Sequence, residues 1–320
     1  MRICIFGAGA IGGGLAVFLA RAGHEVSVVA RGLHLRAIRT GGLRVRRDGR
    51  ELRADVAASD DPAELGVQDT VFVTVKAHSL PGLAGAFAPL LGPDTAVVTA
   101  MNGVPYWYFH GDDGPFRGQR LTSLDPEGAL WRALPPERAI GCVVYPASAV
   151  VEPGVIAMGG LNRFPLGEPD GTISDRVRGL SEVMTEAGID APVVPRIRDE
   201  IWSKLWGNLT MNPLSVLTLA GLGTLATSPV IRPVVHAMME EGRAVGQALG
   251  VRFAIGIEER IGHAAALGDH KTSMLQDLEG GRPMEIDALV GVVGELGRLT
   301  GVSTPTIDTV LQLVRMRALA

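Results

Sequence analysis

Two hydrophobic rhythms divide this chain. In the first half, short apolar runs of strand length alternate with stretches of helical spacing. Arg2–Gly7 ("RICIFG") is an apolar run closed by glycine, the form of a strand buried on both faces. "IGGGLAVFLARAG" follows, with Leu15, Phe18 and Leu19 on one side of a helix and Gly23 as its stop. The strand signal returns in "EVSVVAR", "TVFVTVKA", "TAVVTAMNG" and "CVVYPASAV". Strand, helix, strand in this order predicts a parallel sheet with right-handed crossovers. From about Ile197 the strand rhythm stops. "IRDEIWSKLWGNLTMN", "PVIRPVVHAMMEEGRAVGQALG" and "PMEIDALVGVVGELGRLTG" all carry helical periodicity. Two prolines and a charge cluster in "DAPVVPRIRDE" mark the junction. The expected fold class is α/β, with an N-terminal parallel-sheet domain over 1–195 and an all-helical domain over 196–320. Pro213 is expected to end or bend the first long helix, because proline disfavours helix at the residue before it.

Between the first strand and the first helix stands Gly7-Ala8-Gly9-Ala10-Ile11-Gly12, a G-x-G-x-x-G in the context that binds dinucleotides. Gly7 permits the tight turn, Gly9 lets the backbone approach a pyrophosphate, and Gly12 lets helix and strand pack closely. The helix N-terminus supplies N–H groups and positive potential for the phosphates. The N-terminal domain is therefore expected to be of the Rossmann type. The second strand ends in "VVARG", where NAD-binding folds tend to place an acid for the ribose hydroxyls. Arg31 stands there instead and is suited to pair with a 2′-phosphate, so the expected cofactor is NADPH/NADP. Lys76 and Asn102 follow the next two strands, at the carboxyl edge where ligands bind in such sheets.

In the helical half, "WSKLWGNLTMN" spaces Lys204, Asn208 and Asn212 four residues apart. Three such positions drift only about 80° around a helix, so they share one stripe. A solvated face would explain the polarity, although such faces usually carry Glu, Lys and Arg. Ser273 lies beside Met274 and Leu275 on a mixed segment, and Glu285 sits near an expected helix start. Glu285 there would complement the helix dipole even without a functional role.

Bulk properties narrow the classes. A chain of 320 residues with 47% hydrophobic and 20% charged content is long enough for two globular cores. A formal charge of −4 offers no footprint for nucleic acid or an anionic membrane. The basic run Arg44–Arg50 is interleaved with acids nearby and reads as a solvated hairpin. Cys4 and Cys142 show no metal-ligand spacing, and Cys4 reads as a small buried hydrophobe. No secretory signal and no spanning apolar stretch are visible, so the expected compartment is the cytoplasm. The apolar surface of the helical domain is compatible with a homodimer.

Taken in order, "GAGAIGG", "VVAR", "VKA", "NG", "WSKLWGNLTMNPLS", "TSMLQDL" and "MEID" resemble the ketopantoate reductases (2-dehydropantoate 2-reductases) nearly end to end. The resemblance implies NADPH-dependent reduction of a 2-oxo acid in the cleft between the two domains, with 2-dehydropantoate as the first candidate substrate. It implies Lys204 as general acid and Asn208, Asn212 and Ser273 as substrate contacts. It further implies Arg31, Lys76 and Asn102 as NADPH contacts, with Asn102 also near the substrate and Glu285 between cofactor and substrate. The chemistry agrees. Hydride arriving at a ketone carbon leaves negative charge on oxygen, which Lys204 can neutralise. Amides one and two turns along can bind a carboxylate and a hydroxyl without adding charge. One departure is the long loop after Asn102, in which Tyr106, Trp107, Tyr108 and Phe109 are contiguous. It is expected either to line the substrate pocket or to plug the space between domains, and it opens the alternative of another 2-oxo acid. A β-hydroxyacid or imine dehydrogenase, and a non-catalytic dinucleotide-binding protein, are the competing classes. His110 in that loop is read as an ordinary loop histidine.

Overall fold

The computed structural model describes residues 1–319. They form two compact units. The first comprises Met1–Met101, Pro105–Arg120 and Glu127–Ile197. The second comprises Asn102–Val104, Leu121–Pro126 and the chain from Arg198 onward.

The first unit opens with β1 (Arg2–Phe6), α1 (Ala10–Arg21), β2 (Glu25–Val29) and α2 (Gly32–Gly41). β3 (Leu43–Arg47), β4 (Arg50–Ala54), β5 (Ala57–Ser59), β6 (Gln68–Val73) and β7 (Leu91–Ala100) follow. A short α3 (Ala129–Ala133) precedes β8 (Ala139–Cys142), β9 (Ala147–Glu152), β10 (Val155–Gly159), β11 (Leu166–Gly167) and α4 (Asp175–Glu186). Seven strands make the main sheet in the order β11-β8-β7-β6-β1-β2-β5, parallel throughout except for β11. The central strands are apolar because both faces are covered: Ile3, Ile5, Val71, Phe72, Val97 and Val98 are fully buried. β1 has β2 on one side and β6 on the other, so the strand order reverses at its end, the position where such sheets bind ligands.

A second, four-stranded sheet has the order β4-β3-β10-β9. The basic run Arg44–Arg50 does form a hairpin, but it is half of this sheet rather than an isolated solvated one. β3 pairs in parallel with β10, and Arg46 bonds both Glu51 and Glu152. α1 packs against this sheet, and a Cβ on Gly13 or Gly14 would run into Ile156 or Met158 of β10. The glycine run that opens α1 thus also serves close packing. "CVVYPASAV" is not one strand: β8 ends at Cys142 and β9 begins at Ala147, with Pro146 between them. Proline has no N–H for the ladder, which explains the break.

The aromatic run of the long loop lies in the core of the first unit. Tyr106, Trp107, Tyr108 and Phe109 are all at most 4% exposed. Tyr106 donates its hydroxyl to the Leu134 carbonyl at 2.7 Å, and Trp107 donates Nε1–H to Thr99 Oγ1 at 2.9 Å. These rings fill the space around β7 and α3, where Tyr106 and Trp107 use their polar atoms.

The regular elements of the second unit are helices: α5 (Ile197–Thr218), α6 (Leu222–Thr227), α7 (Arg232–Ala248), α8 (Ile257–Ala266), α9 (Ser273–Glu279), α10 (Val292–Thr300) and α11 (Pro305–Arg317). A π-turn at Asp287–Gly291 leads into α10. α5 runs on for five residues beyond Pro213 rather than ending there. Burial explains this: Met211, Leu214 and Val216 are enclosed, and tertiary packing overrides the local preference against helix. No helix of the described residues is long and apolar enough to cross a membrane.

Candidate functional site

The first unit presents the glycine loop at the end of β1. Its conformation is held by named bonds. Val29 O accepts from both Gly7 N and Ala8 N, and Thr74 Oγ1 donates to Gly7 O at 2.6 Å. A Cβ on Gly12 would overlap the Gly7 carbonyl oxygen and crowd Ile5, so only glycine lets α1 start this close to β1. A Cβ on Gly9 would meet nothing within 4 Å, so the loop is open on that side. α1 has no side-chain cap and no acid in its first turn. Its leading N–H groups are therefore left to a ligand, and the loop fits a pyrophosphate. Ala10 and Ile11 form the first turn, half-buried. Arg31 follows β2 as the residue capping α2 and is exposed; Lys76 caps a short turn after β6 and is half-buried. Thr74 is missed by sequence reading. Its only signal is a hydroxyl residue at the end of an apolar strand.

The second unit gathers the polar residues expected of a reaction site. On α5, Lys204 and Asn208 are half-buried and Asn212 is 3% exposed. Lys204 Nζ donates to Asn102 Oδ1 at 2.7 Å. Asn102 Nδ2 in turn faces Glu285 Oε2 at 3.4 Å, and Glu285 is 4% exposed. An ammonium, an amide and a carboxylate thus form one chain with its donors all running in the same sense. Gly103 explains the placement of Asn102. Its φ is +89°, and a Cβ there would overlap the carbonyl oxygen of Ala288, inside the π-turn that follows Glu285. π-turns are rare and concentrate at functional sites.

Asn212 Nδ2 is buried without a hydrogen-bond partner. Leaving such a group unmade costs about 1–3 kcal/mol, a cost that an acceptor brought by a ligand would offset. One turn on, Ser215 donates to the Asn212 carbonyl at 2.7 Å and lies 2.6 Å from Thr272 Oγ1. Thr272 caps α9 by accepting from Leu275 N, which leaves Ser273 as the first residue of that helix, exposed. Because Ser215 spends its proton on Asn212, Thr272 must donate to Ser215. The arrangement ties the start of α9 to the third residue of the Lys204 stripe. Ser215 and Thr272 are also missed by sequence reading, although Ser215 extends the stripe by three residues and Thr272 has the form of a helix cap. Among the described residues no cluster of His, Cys, Asp and Glu is suited to a metal, and both cysteines are buried and outside any disulfide. Burial pushes the Cys4 thiol up to about 12, so it is inert.

Comparison with known proteins identifies the family. The model for "Ketopantoate reductase PanE/ApbA" matches residues 3–171, and that for its C-terminal part matches residues 196–318. A 2-dehydropantoate 2-reductase of Mesorhizobium japonicum is 55% identical over 99% of this chain and 98% of its own. The 2-dehydropantoate 2-reductase of Archaeoglobus fulgidus is 29% identical over 98% of this chain and 97% of its own. Among solved structures, one from Ralstonia solanacearum, described as a candidate ketopantoate reductase, superposes with a TM-score of 0.95 at 46% identity, covering 99% of this chain and 98% of its own. The 2-dehydropantoate 2-reductase of Methylococcus capsulatus superposes with a TM-score of 0.83 at 30% identity, covering 100% and 97%. With both family models matched in order and a relative this similar along nearly its full length, the chain belongs to the ketopantoate reductase family.

Proposed function

We propose that this protein reduces 2-dehydropantoate to pantoate with NADPH, the first unit holding the dinucleotide and the second the oxo acid. The observation that carries the reading is the Lys204–Asn102–Glu285 chain, an ammonium oriented by an amide that a buried carboxylate also faces. Gly7 to Gly12 would hold the pyrophosphate, Arg31 the 2′-phosphate, and Lys76, Asn102 and Glu285 the nicotinamide half. Bound NADPH would supply hydride to the ketone carbon. Lys204 then delivers a proton to the ketone oxygen as negative charge grows there, and it is re-protonated from solvent. Asn102 keeps the Lys204 side chain from swinging between rotamers, a positioning effect of the kind that sets near-attack geometry. Asn208, Asn212 and Ser273 bind the carboxylate and hydroxyl of the acid, and the unpaired Nδ2 of Asn212 finds its acceptor there. We place the enzyme in the cytoplasm, in keeping with two buried cysteines that form no disulfide.

The aromatic run favours 2-dehydropantoate over bulkier acids, because Tyr106 to Phe109 are used up inside the first unit. The test is oxidation of NADPH, followed at its nicotinamide absorbance, with 2-dehydropantoate beside branched and aromatic 2-oxo acids. A strong preference for 2-dehydropantoate is expected. Preference for an aromatic acid would overturn the substrate assignment, and turnover with none of them would overturn the reaction class.

A further inference from the structure

His34, in the first turn of α2, touches two backbone groups that are far apart in sequence. Its Nε2 lies 2.6 Å from the carbonyl oxygen of Ala8, and its Nδ1 lies 3.0 Å from the backbone nitrogen of Gly154. The protonation state follows from the partners. A backbone N–H can only donate, so Nδ1 must accept from Gly154; a carbonyl can only accept, so Nε2 must carry the proton and donate to Ala8. Gly154 is itself anchored on its other side, since its carbonyl accepts from Arg44 N at 2.9 Å. The ring is thus a strut from the β9–β10 turn to the glycine loop.

Its target is the middle of that loop. The Ala8 N–H is already committed to Val29 O, and the preceding carbonyl, Gly7 O, is held by Thr74. His34 holds the next one. In a trans peptide the carbonyl of one residue and the N–H of the next point to opposite sides. Fixing Ala8 C=O toward His34 therefore turns the Gly9 N–H the other way. The Ala8–Gly9 peptide has no side chain of its own to settle its orientation at Gly9, and glycine is the residue most free to let a peptide flip. A flipped peptide would present a carbonyl oxygen where the phosphates need a donor.

We infer that His34 is the positioning residue for the pyrophosphate loop, setting the Ala8–Gly9 peptide so that Gly9 N–H is available to a dinucleotide phosphate. The inference rests on the dinucleotide-binding reading above and deepens it. It separates the work of His34 from that of Arg31: His34 acts on the pyrophosphate, which NADPH and NADH share, whereas Arg31 acts on the 2′-phosphate alone.

Two substitutions split the two bonds. Glutamine places its amide near the position of Nε2, and asparagine places its amide near that of Nδ1. His34→Gln keeps a donor for Ala8 and loses the acceptor for Gly154; His34→Asn does the reverse. Binding of NADPH and of NADH to the full-length protein is titrated by tryptophan fluorescence, and thermal melting is followed in parallel without ligand. We expect His34→Asn to weaken both dinucleotides by the same factor, about 3- to 10-fold for one lost neutral hydrogen bond, with kcat unchanged. His34→Gln should bind both within about twofold of the wild type on the same scale. A purely structural strut predicts the opposite pattern, with both variants binding normally and only melting altered, and that result would overturn the inference. Unequal loss of NADPH and NADH in His34→Asn would also overturn it. Should the wild type bind neither dinucleotide, the reading beneath it fails and the inference with it.

Discussion

Gly103→Ala probes how the Lys204 site is assembled. Two costs add at this position. Its φ of +89° is strained for an L-residue, at about 1–2 kcal/mol. Its new Cβ would also overlap the Ala288 carbonyl oxygen, and relieving such overpacking costs about 1–3 kcal/mol. Backbone cannot give as a side-chain tip can, so Asn102 must move relative to Lys204 and Glu285. A misplacement of about 1 Å in a reacting constellation can cost on the order of 100-fold in rate. The control is Gly301→Ala, at the end of α10 in the same unit. Its φ is +74°, yet a Cβ there meets nothing within 4 Å, so it carries the strain without the clash. Turnover of NADPH with 2-dehydropantoate is measured beside thermal melting for both variants. Gly103→Ala should melt about 5–15 °C lower than the wild type, from about 2–4 °C per kcal/mol, and lose roughly 10- to 100-fold in kcat. Gly301→Ala should melt only a few degrees lower and keep its kcat. Equal behaviour of the two variants, or full turnover in Gly103→Ala, would refute the claim that contact with the π-turn places Asn102.

Further outcomes follow from the same geometry. Lys204→Ala should lower kcat by about 10²–10⁴-fold, the usual scale for a lost general acid, with NADPH affinity nearly unchanged; full turnover would remove Lys204 from the mechanism. Arg31→Ala should weaken NADPH much more than NADH in a binding titration, and equal weakening would mean that Arg31 does not read the 2′-phosphate. Burial alone would raise the Glu295 carboxyl, but donors from Ser123 and Thr122 outweigh it and hold the group below its ordinary value of 4.5. Its stabilisation is therefore fully present above that value and is lost as pH falls through the lower, folded one. Urea midpoints should show Glu295→Gln destabilised at neutral pH, with the gap to the wild type closing below pH 4.5; a gap independent of pH would assign the loss to something other than the charge.

What the sequence by itself determined was what depends on local backbone geometry. The period of β1 and α1 and the spacing of Gly7, Gly9 and Gly12 carry the signature of a dinucleotide loop because a strand, a tight turn and a helix start are each set within a few residues. The stripe of Lys204, Asn208 and Asn212 was legible for the same reason, since a helix repeats every 3.6 residues wherever it is placed. Local rules failed where packing outweighed them. α5 passes through Pro213 because its flanks are enclosed on that stretch, and the aromatic run is core because Thr99 and Leu134 happen to meet the polar atoms of its rings. Only the tertiary structure decided which polar groups meet across long distances. Asn102 and Lys204 are 102 residues apart, Asn102 and Glu285 are 183 apart, and His34 reaches a turn 120 residues away. No periodicity encodes such pairings. They are settled when the chain closes, because each buried donor or acceptor left unmade costs more than the bond that satisfies it gains.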